Sequence, residues 1–309
     1  MKKKKTVIAG LTRNPLLIVA VLLVASCTEL IDIRTDNSPP VIVIYGELTN
    51  ELKQQEVNVS RSSPYFDGVP NERISDASVT VSASNGGLWQ FLPCDTVPGL
   101  YRSDTPFAAD TLVTYSLSVE VDGKTYTAET EILRPIMPDS LSFQTMTMMG
   151  VRTHILSIHF QDTPQNNYYL LHTTYKDSAQ DYKDTLLTAK LSRYSISDNE
   201  RLFQGQYQHK MVRNFADRST KDNEVSMGDG DEQNRRIYLQ SGDSIEVTLS
   251  LIPKGFYDFI RQCKNEQNGE NPMFGGPASN IETNISNGGV GYFAGYYSAG
   301  VATKFTGAK

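Results

Sequence analysis

The chain has 309 residues, 39% of them hydrophobic, with a formal net charge of −6. That length fits one or two domains, and the acidic balance argues against a nucleic-acid or polyanion partner, which would need a basic stripe. Three cysteines without a CxxC pair leave no disulfide framework and no basis for zinc or thiol-redox chemistry.

The first residues have the three parts of an export signal. Lys2, Lys3, Lys4, Lys5 and Arg13 form a positive region, Leu16 to Val24 is an unbroken apolar run, and Val24-Ala25-Ser26-Cys27 places small residues before a cysteine. The apolar run is far short of the roughly 20 residues a membrane-crossing helix needs. It fits the core of a cleaved leader, so residues 1–26 are left out of the fold. The aliphatic-small-small-Cys pattern is a lipobox, in which Cys27 becomes the acylated N-terminus, carrying fatty chains such as palmitate. Five of the 29 basic residues and none of the 35 acidic ones precede Cys27, so the mature charge falls to −11. Such a surface gives no electrostatic help in holding anionic lipid, and attachment is expected to come from two or more acyl chains.

Residues 27–40 read as a polar tether ending at Pro39-Pro40. Strand-like runs follow over 41–135. Val41 to Tyr45 is β-branched and nearly continuous, while Val57 to Ser60 and Val79 to Ser82 alternate with period two. Leu88 to Leu92 follows the turn residues Asn85-Gly86-Gly87, and Gly99 to Tyr101 is short. Thr114 to Val121 turns through Asp122-Gly123 into Lys124 to Thr130, the clearest hairpin in the sequence. The expectation is an antiparallel β-sandwich of immunoglobulin-like or transthyretin-like type, ended by Pro135 and Pro138.

A second β-rich domain is expected over 138–309. Its strand candidates are 140–143, 154–160, 168–175, 186–194, 206–212, 237–240 and 244–251, with a polar loop over 217–234. Pro253, then Phe256, Phe259, Ile260 and Cys263 at helical spacing, predict one amphipathic helix near 254–268. Gly291 to Tyr297 is a closing strand whose aromatics should face the core. Gly288-Gly289-Val290-Gly291 follows no βα pattern, so a nucleotide site is not expected.

No catalytic constellation is visible. His154, His159, His172 and His209 stand at neither HxH nor HExxH spacing, and His154 and His159 should point to opposite faces of one strand. There is no GxSxG elbow. The acidic loop holding Asp229, Asp231 and Glu232 is a weak calcium candidate: its spacing is not that of an EF-hand, and Arg218 and Lys221 interrupt it. A plain solvated loop is the competing reading. Tyr65 and Phe66 form a candidate interface in a loop between sandwich strands. Cys94 and Cys263 are read as two thiols, with a bridge between them left open. No cofactor and no enzymatic activity are expected.

The order of several motifs carries a resemblance. Cys27-Thr28-Glu29-Leu30 leads into Val41-Ile42-Val43-Ile44-Tyr45-Gly46-Glu47-Leu48. Then come Ile74-Ser75-Asp76-Ala77-Ser78-Val79, Val121-Asp122-Gly123-Lys124-Thr125-Tyr126, Asn271-Pro272-Met273-Phe274 and Gly291-Tyr292-Phe293. Over the mature chain these resemble a family of outer-membrane lipoproteins of Bacteroidota catalogued as domain of unknown function 4249. The resemblance implies an accessory or binding lipoprotein of the cell envelope, periplasmic or surface-exposed, beside a TonB-dependent receptor in nutrient uptake. It carries no catalytic residues over. A surface adhesin or matrix component is the alternative, and a hydrolase the third reading.

Overall fold

The computed structural model describes residues 40–63, 70–148, 151–176, 192–199, 203–217, 238–239, 241–267 and 281–307. Cys27, Tyr65, Phe66, Asp229, Asp231 and Glu232, singled out above, lie outside these residues. The fold is mainly β, as expected.

The first half contributes β1 (Ile42–Thr49), β2 (Glu56–Arg61), β3 (Glu72–Arg73), β4 (Ser78–Ala83), β5 (Leu88–Pro93), β6 (Leu100–Ser103), β7 (Thr114–Val121) and β8 (Lys124–Glu131). Period-two alternation becomes one-sided burial: in β7 the buried residues are Tyr115, Leu117, Val119 and Val121. The β7–β8 turn has positive φ at both Asp122 (52°) and Gly123 (72°), the two-residue geometry that matches strand twist. These strands, with one more from late in the chain, β16 (Val290–Tyr296), form a single nine-stranded sheet ordered β16-β1-β2-β6-β5-β4-β7-β8, with β3 on the side of β2.

The ninth strand, β16 (Val290–Tyr296), comes from the far end of the sequence and runs parallel to β1, with Gly291 opposite Ile44 and Phe293 opposite Gly46. The aromatic run expected to close the second domain thus completes the first sheet. Its alternation explains why: Phe293 is fully buried in the first core, while Tyr292 and Tyr296 face the other way. Gly291 has φ +109°, and a Cβ there would fall 2.0 Å from the Ile44 carbonyl oxygen, so only glycine permits this approach. The sheet then rolls up. Ser286 donates its N–H to the Thr127 carbonyl (2.8 Å), and Gly295 donates to Thr130 Oγ1 (2.8 Å). These bonds bring β8 to the β16 edge, so opposite walls of one nearly closed sheet face each other across the core as the layers of a sandwich do.

The second half contains β9 (Pro138–Met148), β10 (Val151–Gln161), β11 (Tyr168–Lys176), β12 (Ser192–Asp198), β13 (Tyr207–Asp217), β14 (Tyr238–Leu239), β15 (Ser244–Ile252), α1 (Lys254–Gln267) and β17 (Ser298–Lys304). They form two four-stranded sheets, β14-β13-β10-β9 and β12-β11-β15-β17. Leu156, Ile158, Phe160 and Phe215 of one sheet share a core with Tyr169, Leu171, Val247 and Leu249 of the other. The helix occupies the expected span. Of the strand expected over 186–194, residues 186–191 lie outside the described residues and 192–194 fall in β12; 218–234 of the expected polar loop are likewise outside the described residues.

Candidate functional site

A third apolar cluster joins the two halves. Phe256 of α1, Leu170 of β11, Ile252 of β15 and Tyr292, Ala294 and Tyr296 of β16 are buried together, with Tyr45, Tyr168, Ile196, Tyr257, Phe259 and Ile260 packed around them. The alternation of β1 and β16 creates this face. Each gives alternate residues to the first core, and the remainder, Tyr45 and Glu47 from β1 and Tyr292 and Tyr296 from β16, point at the helix and the third sheet. Helical spacing brings Phe256 and Phe259 to Tyr292, with ring centroids 5.2 and 5.3 Å away.

Glu47 is the polar centre of the junction. Its carboxylate accepts hydrogen bonds from the Tyr45 hydroxyl and, at 2.5 Å, from the Tyr296 hydroxyl. Burial and then the Glu47 charge push both phenols far above their ordinary value. They stay neutral donors, with their protons committed to the carboxylate. Tyr257 behaves alike: burial and its bond to Asp198 (3.1 Å) push it up to about 12.

At the edge of this knot, β11 and β12 set His172 opposite Tyr194. The rings stack at 4.1 Å and 11°. Tyr194 remains 54% exposed although His172 covers one face. Burial pushes the His172 imidazole below its ordinary value, against the charges of Glu246 and Glu51. It pushes the Tyr194 phenol up, helped by Glu47 and Glu51. The result is a neutral aromatic ring braced from beneath within a field of carboxylates. Such a ring can stack on the apolar face of a ligand while nearby carboxylates accept its hydrogen bonds.

The other histidines separate as their strand positions require. His154 is buried and hydrogen bonded to Thr145 Oγ1 at 2.8 Å. His159 is on the opposite face of β10, where the structure brings it to His209. Among the described residues, no group of three or more His, Cys, Asp or Glu side chains could hold a metal ion. Cys94 and Cys263 are both free thiols. No helix among the described residues is long and apolar enough to cross a membrane.

Sequence reasoning missed the Glu47 knot and the His172–Tyr194 stack. Only the polar Glu47 within an apolar strand marked the first.

A family model described as a domain of unknown function (DUF4249) matches residues 28–300. No curated protein matches the chain. Among solved structures, trypsin-activated alpha-2-macroglobulin from Escherichia coli is similar at 11% identity and a TM-score of 0.22, over 70% of this chain and 15% of that one. A DUF4785 family protein from Legionella pneumophila is similar at 8% identity and a TM-score of 0.21, over 68% of this chain and 51% of that one. A Salmonella alpha-2-macroglobulin mutant is similar at 11% identity and a TM-score of 0.22, over 91% of this chain and 16% of that one. The chain therefore spans about half or less of each, and overlaps this small carry no argument about activity.

Proposed function

The chain belongs to the DUF4249 family, and from that premise we propose a lipid-tethered, non-catalytic binding or accessory protein of the outer membrane. It works beside a TonB-dependent receptor in nutrient uptake, held by acyl chains on Cys27. The Val24-Ala25-Ser26-Cys27 pattern supports the anchor. One observation carries the binding reading: the half-exposed Tyr194 ring, stacked on His172 at the edge of the Glu47 knot. Around it, the phenol protons of Tyr45 and Tyr296 are locked onto Glu47. Groups so committed hold a surface in shape, which favours recognition over proton transfer.

The test is isolation of the acylated chain from its own membranes in mild detergent at native expression. A TonB-dependent receptor should co-purify, and Tyr194→Ala should reduce its recovery while Cys27→Ser abolishes membrane retention. Absence of any such receptor from the wild-type isolate would overturn the accessory reading. Recovery of surface matrix material instead would favour an adhesin.

A further inference from the structure

On the outer face of the second sheet, β10 and β13 place His159 directly opposite His209. The two Nδ1 atoms converge to 2.5 Å. Since a neutral imidazole carries one ring proton and one lone pair, one ring donates to the other, and the proton lies on the line between two nitrogen lone pairs. We propose that His159 and His209 form a two-imidazole chelate for a divalent transition-metal ion, with copper(II), nickel(II) and zinc(II) as the matching class.

The geometry supports this in three ways. Two nitrogens bound to one metal at about 2.0–2.1 Å with a tetrahedral angle stand roughly 3.3 Å apart. The rings therefore need to part by under about 1 Å and to turn so that both lone pairs meet at one point off the line between the nitrogens; His209, which is exposed, is the ring with room to do so. The Nε2 of His159 is held by Ser142 Oγ at 2.6 Å, leaving Nδ1 to face its partner; this is how an outer hydrogen bond orients a ligating ring. Tyr207 flanks both rings, parallel to His159 at 6.5 Å and edge-on to His209 at 5.1 Å. Its hydroxyl is bonded to Asp139, so the wall beside the pair is fixed. No third His, Cys, Asp or Glu among the described residues joins the pair. Solvent fills the remaining positions, and the site exchanges its ion readily.

Copper(II) titration of the untagged mature chain, read by calorimetry and electron paramagnetic resonance, tests this. One equivalent should bind with a two-nitrogen signature, and His159→Gln or His209→Gln should each weaken it by about tenfold or more. The double variant should be no worse than either single one, since a chelate is lost with its first ring. His172→Gln should leave copper(II) binding unchanged. A measurement that needs no variant is imidazole nitrogen resonance on the wild-type chain: substoichiometric copper(II) should broaden His159 and His209 before His154 and His172. Binding that survives both glutamine variants, a one-nitrogen signature, or broadening that spares the pair would each overturn the proposal.

Discussion

The parallel pairing of β16 with β1 makes the N-terminal sheet depend on residues near the end of the chain, and Phe293→Ala measures that dependence. Phe293 has no solvent exposure and lies in the first core with Ile44, Leu48 and Val57. Gly46, opposite it, leaves room for the ring: a Cβ there would come within 3.3 Å of Phe293. Truncating a buried Phe to Ala costs about 3–5 kcal/mol, and each kcal/mol moves the midpoint of a domain this large by about 2–4 °C. The shift is therefore roughly 6–20 °C.

The protein carries its own reporter. Trp89 is its single tryptophan; it packs against the first core and stacks on Phe107 at 4.0 Å and 16°. Tryptophan fluorescence during urea or thermal unfolding thus follows the N-terminal sheet. Phe293→Ala should move that transition by the full amount. Phe160→Ala, in the second core, should move the far-ultraviolet circular dichroism transition more than the fluorescence one. A Trp89 transition unchanged within about 0.5 kcal/mol in Phe293→Ala, the range of a neutral surface substitution, would refute the shared sheet.

Two further outcomes follow from the titrating groups. Alkylation at neutral pH, in a chain with Cys27→Ser, should modify Cys94 before Cys263. Hydrogen bonds from Thr96 hold the Cys94 thiol below its usual value, while burial pushes the Cys263 thiol up; equal rates by mass spectrometry would contradict this. Burial also depresses the His172 imidazole, so the unfolded chain takes up its proton first as pH falls. The contribution of His172 is complete above about 6.5 and declines as pH drops through that value. Thermal unfolding of His172→Gln should show a flatter dependence between about pH 7 and 5, and an unchanged slope would count against the assignment.

Elements with local marks were legible in the sequence. The N-terminal strands show alternation and turn residues, and the Asp122-Gly123 hairpin adopts the backbone its residues favour. The helix declared itself through Phe256, Phe259, Ile260 and Cys263, which the structure turns to one side. Pairing between distant segments left no such mark. Gly291 to Tyr297 was readable as a strand, but a parallel partner at the other end of the chain is specified by Phe293 fitting beside Gly46, a matter of shape in three dimensions. The His159–His209 pair depends on the β10–β13 register, which shifts at Leu156/Ser157. Spacing along the chain does not encode that shift. Glu47 lies beyond the apolar run Val41 to Tyr45, and its role follows only from the contacts that β16 makes on the face it occupies.

These features meet on β1. One face of this strand, through Ile42, Ile44 and Leu48, holds the first core, and the other carries Tyr45 and Glu47 into the junction with the third sheet and α1. Its edges are taken by β2 and β16. In the proposed arrangement the tether also enters here: the fourteen residues 28–41 allow β1 to stand at most about 50 Å from the acylated cysteine. Load from the membrane and contact made at the Tyr194 edge would then reach the same strand from different sides. Because β16 binds β1 on one edge and turns directly into β17 of the third sheet, both halves would move with the anchor as one body. A protein that positions a partner at a membrane needs that stiffness, since a hinge between anchor and binding face would blur the position the tether sets.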